Sequence, residues 1–277
     1  MTLLTVIPWR AARDDAAPGG GPEGGPDGGP EGGTAPPRAA AGAAMAWAPA
    51  VGLLLGVIAS AVLFLADHPL GAGPLTASGL AVGSLALLTR GLHLDGLADL
   101  ADGLASGKPA PAALDIMRRS DIGPLGVVTL ILTLLLQVAA LSQAETAGHG
   151  RGPAALIAAV VTGRLALTWA CRRGVPAARP DGLGALVAGS VRPVVPAAAT
   201  AVTLAAAAAA VAISATVTGG PLGWTLPLAV AAGLAAALVV QRHAVRRLGG
   251  ITGDVLGALA EIATTVTLVV AAMGPPA

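Results

Sequence analysis

The sequence predicts an all-α, polytopic transmembrane helical bundle of about seven spans, and three observations predict it. Of 277 residues, 55% are hydrophobic and only 11% are charged, with a mean hydropathy of +0.77. An ordinary soluble domain carries about a quarter charged residues. Ala39 to Ala66, Ile122 to Ala144 and Pro193 to Gln241 contain no charged residue at all. A run of about 18 apolar residues suffices to cross a hydrocarbon core of roughly 30 Å as a helix. Third, the basic residues fall in alternate loops. A soluble, alanine-rich helical protein is the plainer alternative, and Ala201 to Ala212 would suit it. A soluble helix needs a polar face, however, and Leu130-Ile131-Leu132-Thr133-Leu134-Leu135-Leu136 offers none.

The chain divides into an N-terminal segment at 1–13, a linker at 14–42 and a transmembrane domain at 43–277. Thr2 to Ile7 is apolar but short and runs into Pro8 and Trp9, so it does not read as a signal peptide. Pro18 to Pro37 is a Gly/Pro/acidic tract without a large apolar residue. It cannot bury enough surface to offset its ordering entropy, so disorder is expected there. Helices are expected at about 43–66, 74–91, 123–144, 153–171, 194–217, 222–241 and 254–273. Gly71, Gly73 and Pro74 break the first pair, and Gly219, Gly220 and Pro221 break the fifth from the sixth.

The loops provide an internal check. Segment 90–121 carries Arg90, Lys108, Arg118 and Arg119; 172–193 carries Arg172, Arg173, Arg179 and Arg192; 242–253 carries Arg242, Arg246 and Arg247. Segments 67–73 and 218–221 and the C-terminal tail carry no Lys or Arg, and 145–152 carries only Arg151. This alternation is what the positive-inside rule requires. It puts the N-terminus and the three polar loops, with any short helices they form, in the cytoplasm and the C-terminus outside. The chemistry is expected on the cytoplasmic face.

A net charge of +1 implies no nucleic-acid partner. The single cysteine, Cys171, excludes an intramolecular disulfide and a cysteine-built zinc site. One lysine against fifteen arginines hints at a GC-rich bacterial genome. The expected setting is therefore a bacterial cytoplasmic membrane, with lipid as a partner; a homo-oligomer is compatible with the sequence.

Asp95, Asp99 and Asp102 are spaced i, i+4, i+7, so on a helix they share one face. Like charges at that spacing repel, and a cation must compensate them. Carboxylates are hard ligands suited to Mg²⁺, particularly where phosphate oxygens complete the shell. Gly96 and Gly103 follow two of the aspartates and leave room beside them. A solvated acidic helix face is the plainer reading, but Leu92, Leu94, Leu97, Leu100 and Leu104 interleave with the acids at a membrane boundary. A helix turns His93 away from Asp95, and it is either a hydrogen-bonding structural residue or a ligand. Arg118 and Arg119 beside Ser120 form a phosphate clamp or an ordinary basic flank. Arg164 and Glu261 lie inside predicted spans, where ionisable groups are expensive and face the bundle interior. Gly249-Gly250-Ile251-Thr252-Gly253-Asp254 is a glycine-rich lead into the last helix, whose free N–H groups suit a phosphate.

Together these segments resemble the cobalamin synthase (adenosylcobinamide-GDP ribazoletransferase) family. The resemblance rests on Gly91-Leu92-His93-Leu94-Asp95-Gly96-Leu97-Ala98-Asp99 through Asp102-Gly103, on Ile116-Met117 to Gly126, on Gly182-Leu183-Gly184 and on Leu248 through Glu261, and it covers roughly residues 45–275. Leu4-Thr5-Val6-Ile7-Pro8 is similar to the family's N-terminal Thr-Arg-Leu-Pro segment. Two departures stand out. The Pro18 to Pro37 tract looks like an insertion, and Arg119-Ser120-Asp121 exchanges the charges of the family's Asp-Ser-Arg.

The resemblance implies a Mg²⁺-dependent transfer. Adenosylcobinamide-GDP and α-ribazole, or its 5′-phosphate, give the cobalamin and GMP. Asp95, Asp99 and Asp102 are the catalytic and metal-holding candidates. His93, Arg118, Ser120 and Arg164 are substrate-binding candidates, with Thr252, Asp254 and Glu261 from the last helix. Two other readings compete. A CDP-alcohol-type membrane phosphotransferase also sets aspartates on a membrane helix, but no Ala-Arg follows Asp95-Gly96 at that family's spacing. A cation transporter would use Asp95, Asp99, Arg164 and Glu261 along a path, but no inverted repeat is evident.

Overall fold

A computed structural model describes residues 38–148, 150–217 and 225–273. The N-terminal segment and the Gly/Pro tract to residue 37 lie outside the described residues. Eleven helices follow in chain order: α1 Arg38–Ala46, α2 Ala48–Asp67, α3 Pro74–Leu88, α4 Leu92–Ala105, α5 Ala110–Ile116, α6 Pro124–Thr146, α7 Arg151–Ala170, α8 Gly182–Val187, α9 Val194–Val217, α10 Thr225–Leu248 and α11 Gly253–Ala272. No strand occurs among the described residues.

The expected boundaries shift at three places. Residues 38–42, assigned to the linker, are the start of α1. The helix expected over 43–66 is two helices that break at Trp47. Pro49 is tolerated in the first turn of α2, but an unbroken helix would press its ring onto the Met45 carbonyl. The Thr168 hydroxyl takes up that carbonyl instead, at 2.9 Å. At the other end of the sequence, α10 continues to Leu248 rather than stopping at 241. Arg246 and Arg247 lie in its last turn, where cations complement the helix dipole.

Six helices (α2, α6, α7, α9, α10 and α11) are long and apolar enough to cross a membrane. The seventh expected span is α3, whose 15 residues rise about 22 Å, short for a full crossing. Arg90 at φ 56° and Gly91 at φ 67° then turn the chain through the left-handed region. The axis bends by 88° into α4. α4 is not itself among the six crossing helices, and the bend carries its aspartates away from the line of α3.

The bundle is built around α7 and α11, whose apolar windows are 72% and 67% buried, against 22% for α6 and 11% for α9. Small residues let the central helices touch. Gly163 of α7 lies against the Ala260 carbonyl of α11, and Gly52 of α2 against Val160 of α7. The outward faces are the reverse of a soluble protein's: Leu132, Leu135 and Leu136 of α6 and Val202 and Ile213 of α9 are all at least half exposed. Such continuous apolar surface belongs against lipid. The chain is a multi-pass membrane protein.

The two ends of the bundle differ. At one, Ser60 bonds to the Pro153 carbonyl and Gln143 to that of Ala272, across short connections. At the other lie α1, α4, α5, α8 and the Arg-rich links. A buried apolar cluster there joins Met45, Leu97, Leu100, Leu165, Ile251 and Leu256.

Candidate active site

The site is formed where α4 crosses the N-terminus of α11. Gly96 permits the crossing: a Cβ there would stand 2.7 Å from the Asp254 carbonyl oxygen and 2.8 Å from its Cα. The reverse contact is made by Gly257, where a Cβ would stand 3.0 Å from the His93 Cα. Two glycines, one on each helix, thus bring Asp95 and Asp99 beside Asp254.

Asp254 is oriented by the cap of α11. Thr252, buried, accepts a hydrogen bond from Val255 N at 3.2 Å, and its hydroxyl donates to an Asp254 carboxylate oxygen at 3.2 Å. The link 249–252 is itself held by the 172–193 segment. Ala178 N donates to the Ile251 carbonyl at 3.0 Å, and Ile251 N to that of Pro176 at 2.9 Å. That segment carries Arg179, whose guanidinium stands 3.9 Å from the Asp254 carboxylate and donates to the Leu114 carbonyl. The Arg179 Nε is buried without a partner.

Asp99 is half-buried, and burial together with the negative charges of Asp95, Asp254 and Asp102 pushes its carboxyl up to about 7, against the pull of Arg179. Uncompensated negative charge is concentrated here, and the donor set is all oxygen, which fits a hard divalent cation. The carboxylates do not enclose an ion alone. Among the described residues, three His, Cys or carboxylate ligand atoms lie within 4.8 Å of one another only at Asp67, His68 and Glu145, at the opposite end of the bundle. One or two carboxylates plus substrate phosphates are what Mg²⁺ ordinarily uses.

Asp102 is placed differently from its two companions. Its oxygens accept from Gly123 N at 2.7 Å and Gly126 N at 2.9 Å, the free N–H groups at the start of α6. It ties α4 to α6.

The remaining candidates separate into three groups. Arg118 donates to both oxygens of Asp181 at 2.8 and 3.0 Å in an exposed pair. Ser120 is exposed on the link between α5 and α6, and the flanking Arg119 and Asp121 form no ion pair with each other among the described residues. The exchanged charges are therefore not explained as a mutual pair. Arg164 and Glu261 lie deeper, lining one cavity with Gln137 and Thr264. Arg164, 3% exposed, approaches His93 Nδ1 at 3.3 Å, and Glu261 accepts from Gln137 at 2.9 Å. The two do not form an ion pair within 4.0 Å. Arg179 is the residue the sequence did not single out. It read as one of four arginines in a basic loop, and only the fold brings it to Asp254.

A second, larger cavity opens beside the carboxylates. Its enclosed volume is about 170 Å³, and Asp95 and Asp254 line it together with His93, Met45, Leu167 and Leu256.

Comparison with known proteins gives the family. The family described as cobalamin-5-phosphate synthase matches residues 2–272. A Frankia casuarinae protein named adenosylcobinamide-GDP ribazoletransferase is 45% identical, over 86% of this chain and 88% of its own. Proteins of the same name from Nocardioides sp. and Bradyrhizobium diazoefficiens are 38% and 40% identical, covering 81% and 82% of this chain and 84% and 82% of theirs. No solved structure matches. A match along nearly the whole sequence, on a membrane bundle whose acidic helix meets the start of its last span, settles the membership: the chain belongs to the cobalamin-5-phosphate synthase family.

Proposed function

We propose that this chain joins adenosylcobinamide-GDP to α-ribazole, or its 5′-phosphate, at the cytoplasmic face of a bacterial membrane, with Mg²⁺. The observation that carries the site assignment is the crossing of α4 and α11, which gathers Asp95, Asp99, Asp254 and Arg179. A ribose hydroxyl of the acceptor attacks the phosphorus nearer cobinamide. The new P–O bond forms as the bond to the bridging oxygen breaks, GMP leaves with that oxygen, and the hydroxyl proton passes to a carboxylate. Bound there, Mg²⁺ would neutralise charge on the diphosphate oxygens.

The residues divide the work by position. Asp99 and Asp254 are the inner carboxylates and would hold the cation. Asp95, exposed and on the cavity wall, takes the proton. Arg179, with a free Nε, balances charge on the diphosphate. Asp102 keeps the start of α6 against α4. Arg164 and His93 hold α4 from beneath. The cytoplasmic assignment is supported by Arg118, Arg119, Arg172, Arg173, Arg179, Arg192, Arg246 and Arg247, all on links or helix ends at the α4 end of the bundle. Purified protein in detergent should release GMP from adenosylcobinamide-GDP only when α-ribazole and Mg²⁺ are both present. GMP release that is unchanged by chelating the metal would remove the metal from the proposal, and no release at all would remove the reaction.

A further inference from the structure

The cavity beside the carboxylates has a definite chemical character. Met45, Leu167 and Leu256 form a buried wall, each under 5% exposed, and Leu92 and Leu183 stand nearer the mouth. Its polar groups are Asp95 and Asp254 at the edge and the buried His93. At about 170 Å³ the enclosed space is smaller than a drug-sized site and takes no more than a small ring system.

The tautomer of His93 follows from its neighbour. The Arg164 guanidinium can only donate, so His93 Nδ1 accepts at 3.3 Å and the ring proton resides on Nε2. The wall therefore combines apolar side chains with one neutral hydrogen-bond donor.

We propose that this cavity binds the base of the nucleoside acceptor: a flat, fused aromatic ring, methyl-bearing and without exocyclic donors, whose single unprotonated nitrogen takes the His93 Nε2 proton as a hydrogen bond. The ribose then faces Asp95 and Asp254. This rests on the transferase reading above and assigns one of its two substrates to one half of the site. The other ligand groups fit worse. A corrin macrocycle with its amide arms is far too large for the space. A guanine edge carries several donors and acceptors, and the Met and Leu wall would leave them unpaired at a cost in binding. The carboxylates that could serve some of them are engaged with the cation and the attacking hydroxyl. A dimethylated benzimidazole loses nothing by burial among Met and Leu.

The test uses the full-length protein in detergent and three variants, with binding of α-ribazole followed by equilibrium dialysis beside steady-state kinetics. Leu183→Trp, at the half-buried lip, should weaken α-ribazole binding and raise its KM by at least tenfold, leaving the KM for adenosylcobinamide-GDP within about twofold. Leu256→Ala, which enlarges the wall, should narrow the preference for α-ribazole over ribosides of a larger fused base by at least fivefold. His93→Phe, which keeps the ring and removes the donor, should weaken α-ribazole binding at least fivefold.

An increase confined to the adenosylcobinamide-GDP KM would overturn the proposal and give the cavity to the guanine. Unchanged dialysis constants in variants that still turn over would overturn it as well and leave the cavity to lipid. Wild-type protein that binds α-ribazole but releases no GMP would instead refute the reaction while keeping the subsite, so the two failures are distinguishable.

Discussion

Gly257 of α11 rests directly on His93 of α4, with room for a Cβ only 3.0 Å from the His93 Cα. One turn away, Gly96 of α4 makes the converse contact on Asp254. The site exists because these two backbones can meet. Gly96→Val should force α4 away from Asp254, since the obstacle is backbone and cannot rotate aside. Loss of activity by about a hundredfold, or roughly 2.7 kcal/mol, is expected, with the protein still inserted in the membrane. Gly257→Ala, a looser contact and a smaller side chain, should cost less than Gly96→Val. Size-exclusion profiles together with turnover check both, and wild-type rates in Gly96→Val would mean that the crossing does not set the chemistry.

Removing one carboxylate at a time should separate ligand from proton acceptor. Asparagine keeps the shape and an acceptor oxygen but removes the charge a hard cation needs. Asp99→Asn and Asp254→Asn should raise the Mg²⁺ concentration for half-maximal rate, and excess Mg²⁺ should restore part of the activity. Asp95→Asn should lose turnover at every Mg²⁺ concentration. Wild-type Mg²⁺ curves for all three would contradict the assignment.

Asp102 should behave as a structural carboxylate. Asp102→Ala leaves Gly123 N and Gly126 N without their acceptor at the start of α6. The expected loss is about 2 kcal/mol of stability, seen as a lower Tm in detergent, with residual turnover per folded molecule that keeps its normal Mg²⁺ dependence. A large shift in Mg²⁺ dependence at unchanged Tm would make Asp102 a ligand after all.

The raised Asp99 carboxyl, at about 7, predicts a metal-linked pH profile. Without metal, the folded protein holds a proton there that the unfolded chain has already lost, so stability falls as pH rises from about 4 to about 7. Metal binding needs the ionised form. At limiting Mg²⁺ the rate should therefore climb with pH to a midpoint near 7, and raising Mg²⁺ should move that midpoint to lower pH as the cation displaces the proton. A midpoint that ignores Mg²⁺ concentration, or one retained in Asp99→Asn, would count against Asp99.

Orientation in the membrane is checked by labelling. In a Cys171-free background, a cysteine at Lys108 should resist an impermeant thiol reagent applied to intact cells and react after the membrane is opened. Labelling from outside would invert the topology.

Sequence alone determined what depends on local composition. Apolar run length placed five of the seven expected spans within two or three residues at both ends, because a hydrocarbon core imposes its thickness on any crossing helix. It also placed the three aspartates on one helix face, because a period of 3.6 residues is fixed by the backbone. It missed the break at Trp47, where a proline overrides an apolar run, and the two extra turns of α10, where the helix outlasts its hydrophobic stretch.

Only the tertiary structure decided which groups meet within the site. Asp95 and Asp102 look alike in sequence, yet one lines a cavity and the other accepts two backbone N–H groups of α6. Arg118 and Arg179 are two arginines in basic loops, yet one pairs with Asp181 on the surface and the other stands beside Asp254. A side chain's function depends on what lies across from it, and those neighbours come from other segments, 21 residues away for Gly123 and 63 for Asp181. Periodicity and charge count are properties of one segment; the approach of Gly96 to Asp254 is a property of two, fixed only when the bundle packs.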